Sequence, residues 1–241
     1  MTQRTEGGQA ERGQAERGQA ERGQTERGQA ERGQTERGQT RRVRTERVEI
    51  EGVAFLVTLT PGSRIGLLAL HAANEGGTAE LAESLAARCG ATSLVFSRPG
   101  ARRPVHIPSP RMAADHCALL RDFLCHVSVT VSLHGHLRDA APRTVFLGGG
   151  NRSAARLLAF GLRALRPEFE AVTDLAKIPR ALRGLHARNP VNLTRGGGVQ
   201  VELPLLARTR RPGRRAGEPD TPPEPVVDAL AEGVRLLSLR G

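Results

Sequence analysis

The sequence contains no tryptophan and no tyrosine, and only 6 of its 241 residues are phenylalanine. Proteins that hold single-stranded nucleic acids stack the bases on aromatic side chains, so few residues here suit that purpose. Long apolar runs are missing too, since no stretch reaches the roughly 18 apolar residues that a transmembrane helix needs. These absences argue against a base-stacking surface and predict no membrane-spanning helix.

Cysteine and lysine are also rare. The three cysteines, Cys89, Cys117 and Cys125, are odd in number and form no CxxC pair, which favours reduced thiols over a disulfide framework. The first residues, MTQRTEGGQAER, contain no apolar segment of the kind that a secretory signal peptide carries. We therefore expect a cytoplasmic protein.

Arginine, by contrast, is abundant. Lys177 is the only lysine, and the formal net charge of the chain is +11, of which the first 47 residues supply +3 from 11 arginines and 8 glutamates. Five further arginines lie in or beside a loop rich in proline and glycine: Arg208, Arg210, Arg211, Arg214 and Arg215. Such a charge attracts anionic polymers, which include nucleic acids as well as carboxylate-rich peptides.

A five-residue repeat fills most of the N-terminal segment. Residues 8–37 are six copies of GQ(A/T)ER, and a degenerate seventh copy, GQTRR, ends at Arg42. The repeat has no apolar group larger than Ala or a Thr methyl to bury, and its glycine costs a helix about 1 kcal/mol in every copy. We predict a disordered tail over residues 1–47 and one globular domain over 48–241, which is long enough to bury a core.

The remaining sequence alternates short apolar runs with amphipathic segments. The runs predict strands at 47–60 (one or two strands), 65–70, 93–96, 104–107, 127–133, 144–147 and 199–203. The amphipathic segments predict helices over 78–88, 112–126, 153–165 and 175–185, and a closing helix with Val226, Leu230, Val234 and Leu237 after a Pro/Arg-rich loop at 207–223. Strands alternating with helices predict a single α/β domain whose mixed sheet has helices on both faces.

Two of the predicted strands lead directly into a histidine. His71 follows the strand at 65–70 and precedes a polar turn that contains Glu75, and His134 follows the strand at 127–133. Such strand ends are where α/β sheets build their sites. These three side chains would supply three protein ligands and leave a fourth position for water, the arrangement of a catalytic zinc site. A histidine and a glutamate four residues apart are also common by chance.

A single glutamate, Glu202, lies in the predicted strand at 199–203 between Val201 and Leu203. Alternation places it on the face of the sheet opposite these two apolar neighbours. A carboxylate in so apolar a strand is either exposed at an edge or functional. In zinc-dependent amide hydrolysis, a glutamate that is not a ligand takes a proton from water and passes it to the leaving amine. Glu202 is the candidate for that role.

Four blocks of the sequence are similar, in order, to the poly-gamma-glutamate hydrolase family. They read LLALHAANEGGTAELAESLA, VTVSLHGH, GGGN and NPVNLTRGGGVQVELP, and the resemblance spans residues 48–208. It implies a zinc-carboxypeptidase-like fold and hydrolysis of γ-glutamyl amide bonds in an anionic peptide polymer. It also implies that Zn²⁺ is bound by His71, Glu75 and His134, and that the catalytic glutamate is Glu202.

The residues leave substrate binding and two competing functions open. Asn192, Arg195 and Arg208 are candidates for holding a substrate carboxylate, which arginine binds through paired hydrogen bonds. One competing function is that of a non-catalytic protein that binds nucleic acid through the arginine-rich tail and loop. The other is a folded but inactive family member, since Ala72 and Ala73 stand where the family has glycines after its first histidine. We expect a monomer.

Overall fold

The computed structural model describes residues 42–98, 105–112, 114–210 and 221–239. The repeats up to residue 41, with the disorder predicted for them, lie outside these ranges, and so does most of the predicted Pro/Arg-rich loop, at 211–220. No helix in the described ranges combines the length and the apolar character that a bilayer crossing requires.

Eight strands of the described residues form one mixed sheet. They are β1 (Arg44–Ile50), β2 (Val53–Thr60), β3 (Ile65–Ala69), β4 (Thr92–Ser97), β5 (Val129–His136), β6 (Thr144–Leu147), β7 (Glu170–Val172) and β8 (Gly198–Pro204). Their spatial order is β1-β2-β4-β3-β5-β8-β6-β7. The four central strands, β4, β3, β5 and β8, run parallel, whereas β1, β2 and β6 each have an antiparallel neighbour. The predicted mixed α/β sheet is confirmed.

Five α-helices of the described residues accompany the sheet. They are α1 (Thr78–Cys89), α2 (Ala118–His126), α3 (Arg152–Leu162), α4 (Leu205–Arg208) and α5 (Glu224–Ser238). On one face α1, α3 and α5 bury Leu81, Leu158 and Leu230 in a shared core, and each such burial stabilises the fold by about 1.5–3 kcal/mol. On the other face α2 buries Leu120 and Phe123 in a second core. The predicted helices on both faces are confirmed.

The first strand begins inside the segment predicted as a disordered tail. All seven residues of β1 pair with β2, although Val48 and Ile50 are its only buried apolar side chains. The first half of β1 therefore carries no apolar pattern from which a strand could be predicted. Glu46 on this strand accepts backbone hydrogen bonds from Ala118 (3.2 Å) and Leu119 (2.8 Å), N–H groups that have no partner within α2.

Two of the predicted elements are wrong. Within the predicted helix at 175–185 only a 3-10 turn, Arg180–Leu182, is helical, because Pro179 has no N–H to donate and its ring blocks an α-helix through that position. The predicted edge strand at 104–107 does not form in its described part, 105–107. The strand β7 escapes sequence prediction, since three residues are too few to show an alternation.

The turn between β3 and α1 crosses the edge of the sheet where β3, β5 and β8 end. Gly77, the residue before α1, has a φ of +84°, a conformation that glycine adopts without strain. A Cβ atom at this position would lie 1.8 Å from the carbonyl oxygen of Arg208 at the end of α4. Glycine therefore allows the turn that carries His71 and Glu75 to lie against α4.

Candidate metal centre

His71 lies just beyond β3, a strand that is buried at all five positions. Both faces of this strand are covered, and the histidine at its carboxyl end is only 5 % exposed. The carbonyl oxygen of His71 accepts backbone hydrogen bonds from Asn74 and Glu75, each 2.8 Å long. This tight turn, residues 71–75, brings the Glu75 carboxylate back beside the ring of His71.

The two ring nitrogens of His71 have different partners. Nε2 lies 2.9 Å from the carbonyl oxygen of Ile107. A carbonyl oxygen only accepts, so Nε2 carries the hydrogen. Nδ1 lies 3.2 Å from Oε1 of Glu75. In the neutral ring, Nδ1 therefore directs its lone pair toward the carboxylate, as it would toward a metal ion held there.

His134 approaches the same carboxylate from β5. Its Nδ1 lies 3.5 Å from Oε2 of Glu75, and its Nε2 lies 2.9 Å from Oγ of Ser132. The backbone N–H of Gly135 donates a 2.9 Å hydrogen bond to the same Oε2. The centroids of the rings of His71 and His134 are 4.9 Å apart, and each ring directs one nitrogen at a different oxygen of Glu75.

The charges of these side chains depend on one another. Burial acts to raise the pKa of Glu75, but the hydrogen bonds that His134 and His71 donate to the carboxylate when they are protonated outweigh it and hold this pKa well below its ordinary value. Burial lowers the pKa of His71. Burial also acts to lower the pKa of His134, but the carboxylates of Glu75 and Glu202 reverse the shift and raise that pKa. Glu75 is therefore an anion at neutral pH, held between two imidazoles.

Glu202 lies on β8, directly opposite His134 in the parallel pairing of β5 and β8. It is 4 % exposed, and its Oε1 accepts a 2.8 Å hydrogen bond from Nε2 of Gln200. Burial raises the pKa of Glu202 to about 7, with His134 acting to lower it and Glu75 to raise it. A general base works best when its pKa is close to the operating pH. This carboxyl group is therefore suited to exchanging protons in neutral solution.

The arrangement fits a zinc ion. It offers two imidazole nitrogens and a carboxylate, the donor set of a catalytic zinc with three protein ligands. The outer nitrogens of both rings have hydrogen-bond partners in Ile107 and Ser132, as expected of histidines oriented for a metal. The lone pair on Nδ1 of His71 faces an ionised carboxylate, and two acceptors in such contact are stabilised by a cation or a proton between them.

A further histidine, His106, lies beside this group. The ligand atoms of His71, Glu75 and His106 all lie within 4.8 Å of one another. The centroids of the rings of His106 and His71 are 4.6 Å apart. Sequence reasoning misses His106, because no spacing connects it to the turn at 71–75. The only local signal is that it is a polar residue between the apolar Val105 and Ile107.

The site opens into a cavity of about 370 Å³. Besides the histidines and glutamates above, its lining includes Arg180, His186 and Asn189 from the segment between β7 and β8. Arg180 and His186 are exposed. The cavity therefore combines a buried floor of imidazoles and carboxylates with a cationic side chain on its exposed side.

Two of the three predicted substrate-binding residues lie outside this cavity and hold the loops around it. Nδ2 of Asn192 donates to the carbonyl oxygens of Gly184 (2.8 Å) and His186 (3.1 Å). Arg208 is buried, and its guanidinium donates to the carbonyl oxygen of Gly76. These contacts position the cavity loop and the turn that carries the candidate ligands.

The third predicted substrate-binding residue, Arg195, lies away from the site. It precedes Gly196, whose N–H donates a 2.8 Å hydrogen bond to the carbonyl oxygen of Ser128, just before β5. β5 and β8 run parallel, so this is the end of the strand pair opposite to His134 and Glu202. The structure thus brings the predicted ligands and the predicted base together and leaves this arginine at the other edge of the sheet.

The sequence matches one known family. The profile of a family described as poly-gamma-glutamate hydrolase matches residues 45–211, which is more than half of the chain. The four blocks singled out in the sequence lie inside this range. No curated protein matches the chain.

Solved structures share its fold. A bacteriophage poly-gamma-glutamate hydrolase has a TM-score of 0.60 at 20 % identity, over 80 % of this chain and 91 % of that one. The zinc-free apo form of YNDL has a TM-score of 0.59 at 21 % identity, over 85 % of this chain and 94 % of that one. A metallo-carboxypeptidase from Burkholderia cenocepacia has a TM-score of 0.47 at 14 % identity, over 83 % of this chain and 65 % of that one. The first two likenesses establish the fold alone.

Proposed function

The chain belongs to the poly-gamma-glutamate hydrolase family, and from this premise we propose that it is a zinc-dependent enzyme that hydrolyses glutamyl-type amide bonds. One observation carries the proposal: His71 and His134 each turn Nδ1 toward one oxygen of Glu75, and Glu202 lies on the strand beside His134. Two imidazoles, one carboxylate among them and a second carboxylate nearby are the groups that metal-assisted amide hydrolysis uses.

In this proposal His71, Glu75 and His134 hold the metal. Bound zinc polarises a carbonyl and lowers the pKa of water toward about 7. The hydrogen bonds to Ile107 and Ser132 keep Nδ1 of each ring directed at the site. The buried strands β3 and β5 hold the two histidine backbones, so the ligand set is in place before a substrate arrives.

Glu202 acts as the general base. Its carboxylate takes a proton from the attacking water and then gives it to the nitrogen of the departing amine. The hydrogen bond from Gln200, two residues earlier on β8, orients the carboxylate. Its raised pKa makes the group basic enough to take the proton and acidic enough to release it near neutral pH.

The substrate is a carboxylate-rich peptide of the poly-γ-glutamate type. Arg180 lines the cavity and is exposed, so its guanidinium is available to bind a substrate carboxylate through two parallel hydrogen bonds. The net charge of +11 favours encounter with a polyanion. Asn192 and Arg208 contribute indirectly, through the loops that they hold. Arg195 lies before β8, at the end of the strand opposite to Glu202, and is too far from the cavity to take part.

The proposal is tested by incubating the full chain with poly-γ-glutamate and, as a matched substrate, with poly-α-glutamate. Polymer length and released amine are followed with zinc, with a chelator, and after zinc is restored. We expect the γ-linked polymer to be shortened in a chelator-sensitive way and the α-linked polymer to remain intact. Zinc binding without cleavage of either polymer would identify an inactive family member. Salt-sensitive binding of nucleic acid without zinc would favour the nucleic-acid alternative.

A further inference from the structure

Hydrogen bonds connect the segment at 105–107 to the turn at 71–75, at Val105 before His106 and at Ile107 after it. Oδ1 of Asn74 accepts a 3.0 Å hydrogen bond from the N–H of Val105, and Nδ2 of Asn74 donates to the carbonyl oxygen of Val105. On the other side, the carbonyl oxygen of Ile107 accepts the hydrogen bond from Nε2 of His71. The backbone of His106 is therefore fixed beside the candidate ligands.

The side chain of His106 faces the cavity. Ile107 is buried and Val105 packs against the same apolar core as α2, so His106, between them, is turned away from that core and is exposed. Its ring lies 4.6 Å from the ring of His71 and lines the cavity. One of its nitrogens lies within 4.8 Å of a ligand atom of His71 and of a ligand atom of Glu75.

We propose that His106 is a fourth protein ligand, which closes the metal site in the resting protein and is displaced when a substrate binds. This inference rests on the proposed function, since it takes His71, Glu75 and His134 as the other ligands. Four protein ligands make a closed zinc site, whereas catalytic sites keep one position open. With His106 in the fourth coordination position, that position becomes available only when a substrate displaces the imidazole.

The geometry allows this ligand. Ligand atoms around tetrahedral zinc lie about 3.3 Å apart, and those of His71, Glu75 and His106 lie within 4.8 Å of one another, so bringing His106 to an ion held by His71 and Glu75 needs a movement of roughly 1–2 Å. The exposed ring of His106 supplies that movement by side-chain rotation, whereas His71 and His134 are buried and hydrogen-bonded at their outer nitrogens. An exposed ligand on a surface segment is also the one that a substrate displaces with the least disturbance of the core.

The test measures the zinc affinity of the full chain by competition with a coloured chelator. His106→Ala is compared with His186→Ala, a matched control that removes another exposed histidine of the same cavity. We expect His106→Ala to keep its zinc but to bind it about tenfold more weakly or worse, since even the loss of a ring-orienting partner costs about 10–100-fold. His186→Ala should bind zinc like wild type.

A second readout and a double-mutant cycle test how His106 is held. In the Co²⁺-substituted protein, His106→Ala should alter the visible absorption, because water replaces an imidazole. Asn74→Ala removes the two hydrogen bonds to Val105, so it should weaken zinc binding in the wild-type background and add little in His106→Ala. Equal effects in both backgrounds would overturn the assignment of this segment as the holder of the ligand.

The outcomes of these measurements distinguish a failure of the fourth-ligand proposal from a failure of the proposed hydrolase function. Unchanged zinc affinity and unchanged cobalt absorption in His106→Ala, or an equal loss of affinity in His186→Ala, would overturn the fourth ligand and leave the hydrolase proposal intact. A wild-type protein that binds no zinc would overturn both. Zinc affinity that depends on His106 without cleavage of the polymer would support the fourth ligand and contradict the proposed function.

Discussion

His134 on β5 and Glu202 on β8 are direct partners in the parallel register of two central strands. This pairing places the imidazole of His134 and the carboxylate of Glu202 on neighbouring strands, so the distance between their backbones does not depend on the conformation of a loop. The backbones of the two residues are separated by the spacing of neighbouring strands, about 4.8 Å. Sites built on strands are held more firmly than sites built on loops, so we place the chemistry of the proposed hydrolase on this pair and on the turn at 71–75.

Glu202→Gln tests the proposed base. Glutamine keeps the size of the side chain and can still accept the hydrogen bond from Gln200, but it cannot take up a proton. We expect an unchanged fold, unchanged zinc content and a loss of about two to four orders of magnitude in kcat. Circular dichroism, metal analysis and steady-state kinetics measure the three quantities. Full activity in a well-folded variant would remove Glu202 from the mechanism.

Arg180→Gln and Arg195→Gln form a matched pair for substrate binding. Each removes one exposed arginine, but only Arg180 lines the cavity. A hydrogen bond to a charged group contributes about 1.5–3 kcal/mol, so Arg180→Gln should raise the KM for poly-γ-glutamate roughly ten- to hundredfold. Arg195→Gln should leave KM near the wild-type value. An equal increase of KM in both variants would mean that binding of the polymer depends on the total charge of the protein and not on the arginine of this cavity.

Glu46 should stabilise the fold in a pH-dependent way. Burial acts to raise its pKa, but hydrogen bonds from the N–H groups of Leu119 and Ala118 and from the thiol of Cys117 outweigh it and lower that pKa. A lowered pKa in the folded state means that the stabilisation is complete above the unfolded-state pKa, about 4.3. It is lost as the pH falls through the lower, folded-state pKa.

Glu46→Gln should therefore reduce the free energy of unfolding by about 0.5–2 kcal/mol at pH 7, the range measured for residues that cap helix N-termini. The deficit should shrink as the pH is lowered below about 4. Glu49→Gln, an exposed position on the same strand, is the control and should change little. Urea unfolding between pH 7 and pH 3 compares the three proteins. A deficit of constant size over this range would contradict the role assigned to the carboxylate.

Two N-terminal deletions locate the start of the domain. Removal of residues 1–42 leaves β1 complete, and the repeat has no apolar face, so the melting temperature and any activity should stay close to those of the full chain. Removal of residues 1–47 takes away Glu46 and half of β1, so the melting temperature should fall by about 4 °C or more. A comparable fall in the shorter deletion would show that the repeats contribute to the stability of the domain.

The strands that carry the proposed site can be predicted from the sequence because they are buried. β3 and β8 are buried at every position. His71 stands out shortly after the apolar run of β3, and Glu202 stands out between Val201 and Leu203 of β8. The edge strands lack this signal. In β1 the first four residues, RTER, are polar and none of them is buried, and β7 has three residues. Strand order across the sheet, and with it the contact between His134 and Glu202, comes only from the structure.

The residues that reach the site from loops cannot be predicted in this way. His106 and Arg180 line the cavity only because their segments fold back over the sheet edge. Arg195 shows the converse, since it is close to Glu202 in the chain but lies at the opposite end of the pair of strands β5 and β8. The seven residues of β8 advance by about 3.3 Å each, so the two ends of the strand lie roughly 20 Å apart. Proximity in sequence along a strand therefore does not place two residues in one site.

A zinc titration of the metal-free full chain, with cleavage of poly-γ-glutamate followed at each step, tests the central claim most directly. We predict that the rate rises with added zinc and levels off at about one zinc per chain, the stoichiometry of a single catalytic site. The double variant His71→Ala/His134→Ala, which lacks both buried histidine ligands, should retain no zinc after dialysis and should not cleave the polymer. A rate that is independent of zinc, or stoichiometric zinc retained by this double variant, would contradict the claim.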